Sequence, residues 1–161
     1  MANIFLPEHF KIVAATPAGP VTTNGGVVFD AVNMENAIMV WIVAQFHQEV
    51  AHATTIQPVL GATVAPATAI TFTTNWWRNA DMATTDTLVV QTDAVSCACT
   101  AAATDQMIVI QIDPAECAAQ GTTLTYLGGT IATSAQADNY VSATYFIQER
   151  YPQATPPTAI V

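Results

Sequence analysis

His47-Gln48-Glu49 has the residue types and spacing of half a zinc site. In zinc-dependent nucleobase deaminases an H-x-E sets a metal-binding imidazole beside a carboxylate that moves protons, and a P-C-x-x-C supplies the remaining ligands. Cys97-Ala98-Cys99 has one intervening residue and no proline before it. The deaminase H-x-E also opens a helix, whereas this one closes an apolar, β-like run. His47 and His52 are five residues apart and miss the i, i+4 spacing of a zinc helix. The segment therefore reads as a solvated strand end with His47, Glu49 and His52 at its rim, and neither a metal nor another cofactor is expected.

The other reactive types read in the same way. A nucleophilic thiolate needs a base or an electropositive setting, and no basic residue lies near Cys97, Cys99 or Cys117 in sequence. They are expected to be buried as small hydrophobes. Their odd number, with no secretory signal visible, argues against a disulfide framework. Asp113 and Glu116 flank a helix start, where capping accounts for both. Phosphate-cradling glycine loops, a G-x-S-x-G elbow and calcium-loop spacing are absent from the sequence. No catalytic set is expected, and the chain reads as a protein that is not an enzyme.

Trp76-Trp77-Arg78-Asn79 is the most distinctive cluster. On a strand the two indoles point to opposite faces. One is expected in the core and the other in an interface, where Trp and Arg serve as anchors. A local Arg78–Asp81 pair is the competing expectation. Trp76, Trp77 and Tyr126 also offer rings on which a sugar could stack.

Composition narrows the classes further. Of 161 residues, 52% are hydrophobic and 9% charged, against about 25% charged in ordinary domains. A surface so poor in charge is expected to be covered in part by copies of itself or by a partner. The net charge of -9 reflects a shortage of cations, Lys11, Arg78 and Arg150 being all there are. Nucleic-acid binding draws on several Lys or Arg contacts with phosphate, so no nucleic acid is expected. Nor is a membrane: the most apolar run, Ala37–Ala44, is eight residues long against the ~20 of a spanning helix. The chain is expected to be made in a cytoplasm.

The elements follow from periodicity. Residues 1–26, broken by Pro7, Pro17, Gly19, Pro20 and Asn24-Gly25-Gly26, read as an N-terminal arm. Residues 27–151 read as one β domain. Ala37–Val50 is the strongest strand, with Ile38, Val40, Ile42 and Ala44 on one face and Met39, Trp41 and Val43 on the other, a pattern expected of a strand buried on both sides. Val27–Phe29, Thr54–Leu60, Ala69–Trp77, Thr87–Thr92, Val95–Ala101, Met107–Ile112, Thr122–Tyr126 and Tyr140–Gln148 follow at short intervals. Pro58 places its strand near an edge or bulge, Gly128-Gly129 reads as a turn, and Pro114–Ala119 as one helical turn. The fold expected is all-β, a single β-sandwich or jelly-roll-like domain. Residues 152–161, holding Pro152, Pro156 and Pro157, read as an extended C-terminal arm.

The order of these features resembles a family of small virion structural proteins of tailed bacteriophages. An apolar strand (Ala37–Val43) is followed by Thr54–Gln57, then Trp76-Trp77-Arg78-Asn79, then a strand running into Ile112–Glu116, and a closing Glu149-Arg150-Tyr151-Pro152. The chain departs from that pattern in its longer N-terminal arm, its Pro-rich C-terminal extension, and in lacking the acidic residues and glycine that the pattern leads one to expect after the Glu116 segment. The resemblance implies a head decoration, or cement, protein on the outer capsid surface of a virion assembled in a bacterial cytoplasm. Its partners would be the major capsid protein and copies of itself, a trimer being favoured by three-fold lattice sites. The candidate interface comprises Trp76, Trp77, Arg78, Arg150, Tyr151, Pro152, Pro156 and Pro157. A tail or head–tail connector subunit and a carbohydrate- or receptor-binding virion domain are the alternatives.

Overall fold

Strand β5 (Ala37–Gln48) organises the molecule. In the computed structural model, which describes residues 9–17 and 19–151, it is flanked by the two other long strands, β11 (Asp105–Ile112) and β13 (Asn139–Glu149). These three carry the β-branched and aromatic residues that favour a pleated surface. β1 (Phe10–Ala14) and β2 (Val21–Thr22) pair with the free side of β13. β8 (Trp76–Asn79) and β9 (Val89–Val90) extend the sheet beyond β11. The seven-stranded sheet thus runs β1-β13-β5-β11-β8-β9, with β2 beside β13.

A second sheet of six strands runs β10-β6-β12-β3, built from β10 (Cys97–Ala98), β6 (Thr55–Gly61), β12 (Tyr126–Ile131) and β3 (Val27–Val28). β4 (Val32–Asn33) also pairs with β12, and β7 (Thr68–Ala69) with β6. Every described pairing is antiparallel. The inner faces meet in one core that includes Val40, Ile42, Ile56, Leu60, Ile108 and Leu127, each 0% exposed. The result is the expected β-sandwich, a single all-β domain. α1 (Pro114–Gln120) is its one well-formed described helix, capped by Asp113, whose Oδ1 accepts the Ala115 N–H at 2.8 Å.

Several local expectations are corrected. The arm expected over 1–26 is strand at Phe10–Ala14 and Val21–Thr22; Pro17, Gly19 and Pro20 only interrupt the edge between them. Residues 1–8 and 152–161, with Pro152, Pro156 and Pro157, lie outside the described residues. β5 is central but covered on one face only. A bulge inserts Ile38 between the Ala37–Glu149 and Met39–Gln148 pairs, so Ala37 turns inward at 3% exposure and Ile38 outward at 46%.

Gly128 and Gly129 belong to β12 and not to a turn. A Cβ on Gly129 would meet the Phe29 ring at 2.5 Å, and one on Gly128 would meet Pro66 at 2.6 Å. Their smallness admits side chains laid directly over the strand. The strands expected over Ala69–Trp77 and Thr87–Thr92 shrink to Thr68–Ala69, Trp76–Asn79 and Val89–Val90, and the one expected over Thr122–Tyr126 starts at Tyr126. Pro58 sits in β6 between the stretches paired with β10 and with β7, an interrupted ladder suited to a residue without an N–H.

Candidate functional site

Parity along β5 and β11 decides which polar groups meet solvent. His47 and Asp105 are paired and point outward, and His47 Nδ1 lies 2.6 Å from Asp105 Oδ1. Glu49 Oε2 stands 3.8 Å from Nε2, and the imidazole stacks on Tyr140 at 6.4 Å between centroids. Pro20, Gln45, Met82 and Ser142 complete a shallow hollow of about 200 Å³. Ser142 pairs with Gln45, one step diagonal from His47, while the imidazole itself is engaged by Asp105, Glu49 and Tyr140. The hollow therefore holds an imidazole oriented between two carboxylates, with Ser142 on its wall.

The rest of the H-x-E segment points elsewhere. Gln48 is buried and donates from Nε2 to Cys99 Sγ at 3.2 Å and to the His52 carbonyl. Among the described residues, no three His, Cys, Asp or Glu side chains converge as ligands for a metal ion. Burial pushes the Cys97 thiol up to about 12. Burial does the same for Cys117, aided by the carboxylates of Asp113 and Glu116. Cys99 is raised by burial against opposing hydrogen bonds from the Thr54 N–H and Gln48. Held protonated, these thiols are poor nucleophiles near neutral pH.

The sequence-chosen interface residues are scattered. Trp76 is 7% exposed and donates from Nε1 to the Thr92 carbonyl at 2.9 Å. Arg78 donates to the Ala98 carbonyl at 3.0 Å and lies 5.8 Å from the Trp76 ring centroid, in place of the expected pair with Asp81. Asp81 instead accepts the Ala83 N–H. Trp77 faces outward beside Val109 and Val90. Arg150, far across the sheet, lines a cleft of about 420 Å³ with Met34, Glu35, Pro114 and Leu124. Tyr151 beyond it is exposed. Nor do Trp76, Trp77 and Tyr126 form one stacking platform: one is in the core, one on the outer face of the first sheet, one in the second sheet.

The feature that sequence reasoning missed is the outer face of the seven-stranded sheet. On β5 it presents Met39, Trp41 and Val43, all half-buried. Val43 is in register with Val109 on β11, and Val109 with Trp77 on β8. On the other side Trp41 is opposite Phe146, which is opposite Ile12. Phe10 meets Trp41 edge to face, with centroids 5.8 Å apart. Phe10, Trp41, Val43, Val109 and Phe146 surround a wholly apolar hollow of about 320 Å³. The outward positions between Met39 and Gln45, between Tyr140 and Gln148, and between Met107 and Gln111 carry no charged side chain. Asp105, at one end, is the nearest carboxylate in register. The signal was present as apolar residues on both faces of β5, a pattern that also describes a strand covered on both sides.

Among the described residues no helix is long and apolar enough to cross a membrane. Comparison with known proteins returns no match for this chain, whether among family models, curated proteins or solved structures.

Proposed function

We propose that this chain is a virion structural protein that works through its surfaces, as a head decoration protein stabilising the capsid of a tailed bacteriophage. The observation that carries the surface-acting part is the uncharged, half-buried apolar face of the seven-stranded sheet, on a chain of net charge -9. A face of this kind has its use in contact with another protein surface. The phage and capsid part rests on the motif order from Ala37 to Pro152. A shortage of cations also suits a protein on the outside of the shell that must avoid binding stray nucleic acid. On this reading the partners are the major capsid protein and other copies of the chain, and no cofactor takes part.

The deciding experiment is to dissociate purified virions and count this chain on each fraction. Copies in the hundreds on tail-free heads, removable without loss of the shell, are the expected result. A few copies confined to neck or tail would overturn decoration.

One observation favours that second reading, a ring or tube subunit. β9 ends the sheet with Leu88, Val89 and Val90 exposed at 40, 55 and 69%, and the outer side of this edge could accept a strand from a neighbour.

A further inference from the structure

We infer that the outer face of the seven-stranded sheet is the seat of a second copy of this chain, and that the protein is a two-fold, face-to-face dimer in solution. The inference rests on the surface-acting reading above and names its first partner.

Charge placement selects the occupant. Two copies, each at -9, repel unless their carboxylates are kept apart. Asp30, Glu35, Asp81, Asp86, Asp93, Asp113, Glu116 and Asp138 all lie outside the strands of this sheet. Glu149, at the end of β13, is paired with Lys11 at 3.9 Å, and Asp105 and Glu49 stand together at one rim beside His47. Inside that rim the outward positions of β5, β11 and β13 carry no carboxylate, so two copies can meet there without like charges face to face. A cationic partner, drawn to an acidic protein, would find nothing here to pair with.

Size and shape agree. The five neighbouring strands β1, β13, β5, β11 and β8 have 5, 11, 12, 8 and 4 residues, and at ~4.8 Å by ~3.4 Å per residue they cover about 650 Å² before side-chain relief. A stable pair needs ~800 Å² per partner. Two copies of one twisted sheet have matching twist, and sheets packed face to face align within about 30°. The face also carries both relief elements of a self-complementary contact: a hollow among Phe10, Trp41, Val43, Val109 and Phe146, and projecting side chains in Ile12 and Val90, 48% and 69% exposed. An isologous contact of this kind closes at two copies, so a dimer replaces the trimer expected from lattice symmetry.

The test starts with the unmodified full chain. Sedimentation is followed from about 1 nM to 200 µM, because interfaces of this size associate from micromolar down to far lower concentrations, together with acrylamide quenching of tryptophan fluorescence. Trp41 and Trp77 lie on the face and Trp76 in the core, so dimerisation through the face lowers quenching as concentration rises. A monomer throughout, or a dimer whose quenching does not change, overturns the inference. Quenching that is low at every concentration in a monomer assigns the face to another part of the chain and overturns it as well.

Val109→Asp and Val109→Lys, each checked by circular dichroism for a folded sheet, should weaken the dimer at least ~30-fold, the loss typical of a central anchor. Mixing the two should restore it. Folded, charged variants that still dimerise overturn the inference, and so does a monomeric chain whose attachment to heads is lost with Val109→Asp, which would assign the face to the shell. A monomer that coats heads overturns the dimer and leaves decoration standing. A face-paired dimer absent from heads does the reverse.

Discussion

Two polar pairs sit side by side on β5 and β11, one residue apart, and meet opposite fates. His47–Asp105 points out, with side chains 55% and 48% exposed. Gln48 and Gln106, the next residue of each strand, point in at 3% and 0%. Gln106 Nε2 donates to Gln48 Oε1 at 2.7 Å and to the Thr100 carbonyl at 3.0 Å. Gln106 Oε1 accepts from the Thr100 N–H and hydroxyl, both at 2.9 Å. Gln48 Nε2 reaches Cys99 Sγ. The buried amides close a network that ties β11 to the segment after β10; the exposed pair has only Glu49 and the Tyr140 ring beside it, both open to solvent on the outer face. The period-2 alternation of a strand thus turns neighbouring polar residues into a structural clasp on one side and a solvent-facing pair on the other.

The widest gap between the two sides should appear in apolar truncation. Ile42 is 0% exposed and its neighbour Val43 half-buried. Ile42→Ala should cost about 4 kcal/mol through lost burial and the cavity left behind. Val43→Ala should cost ~1 kcal/mol or less, measured by urea unfolding at concentrations low enough to keep the chain monomeric. Equal costs would mean that the outer face is packed within the single chain.

Gln106→Ala comes next. It leaves the buried Gln48 carbonyl oxygen and the half-buried Thr100 N–H without partners, and about 2 to 3 kcal/mol of destabilisation is expected. Gln48→Leu together with Gln106→Leu removes both halves of the amide pair and should recover part of that loss, since uncompensated groups cost more than absent ones. A double variant no better than the single one would show that Thr100 and Cys99, not the amide pair, depend on the network.

The covered side should also declare itself at high pH. The Cys97 and Cys117 thiols are pushed from 9.0 up to about 12, burial being the main cause. Their folded-state values lie above the unfolded ones, so the fold binds more protons there. The stability this confers is present in full below about pH 9 and is lost as pH rises from 9 towards 12. Cys97→Ala removes one such group, so the gap in urea midpoint between it and the parent chain should narrow from pH 8 to pH 10.5. A constant gap would mean that Cys97 ionises as easily folded as unfolded.

What was legible in the sequence follows the same division. β5, β11 and β13 were readable because long alternating runs of β-branched residues admit few other structures, and α1 because Asp113-Pro114 marks a helix start. The β-strand at Phe10–Ala14 was hidden by the prolines and glycines that follow it, since an edge strand needs a partner and β13 lies more than a hundred residues away. Gly128-Gly129 looked like a turn because the reason for the glycines, Phe29 and Pro66 lying over them, is tertiary. Of the site, the exposed His47 was legible and its carboxylate partner across the sheet was not. The apolar outer face was visible residue by residue, but alternation cannot say whether the second face of a strand is covered by the same chain, and here that is the functional question.

The smallest effect expected is also the sharpest check on the exposed pair. His47 and Asp105 are both about half exposed, so solvent and salt screen their attraction, and pairs of this kind contribute ~0.2–1 kcal/mol. His47→Gln and Asp105→Asn should each move stability by about 0.5 kcal/mol, and a double-mutant cycle should give a coupling no larger, shrinking with added salt. The 2.6 Å separation argues for more than that, because a short charge-assisted hydrogen bond is stronger than a neutral one. Both side chains must however be desolvated for that strength to register, and Glu49 stands 3.8 Å from the other ring nitrogen with its own side chain 68% exposed. A coupling above ~2 kcal/mol that persisted in high salt would mean that something covers the hollow. The hollow lies at the rim of the apolar face, so in a dimer the value should rise with protein concentration, and in a monomer it should not.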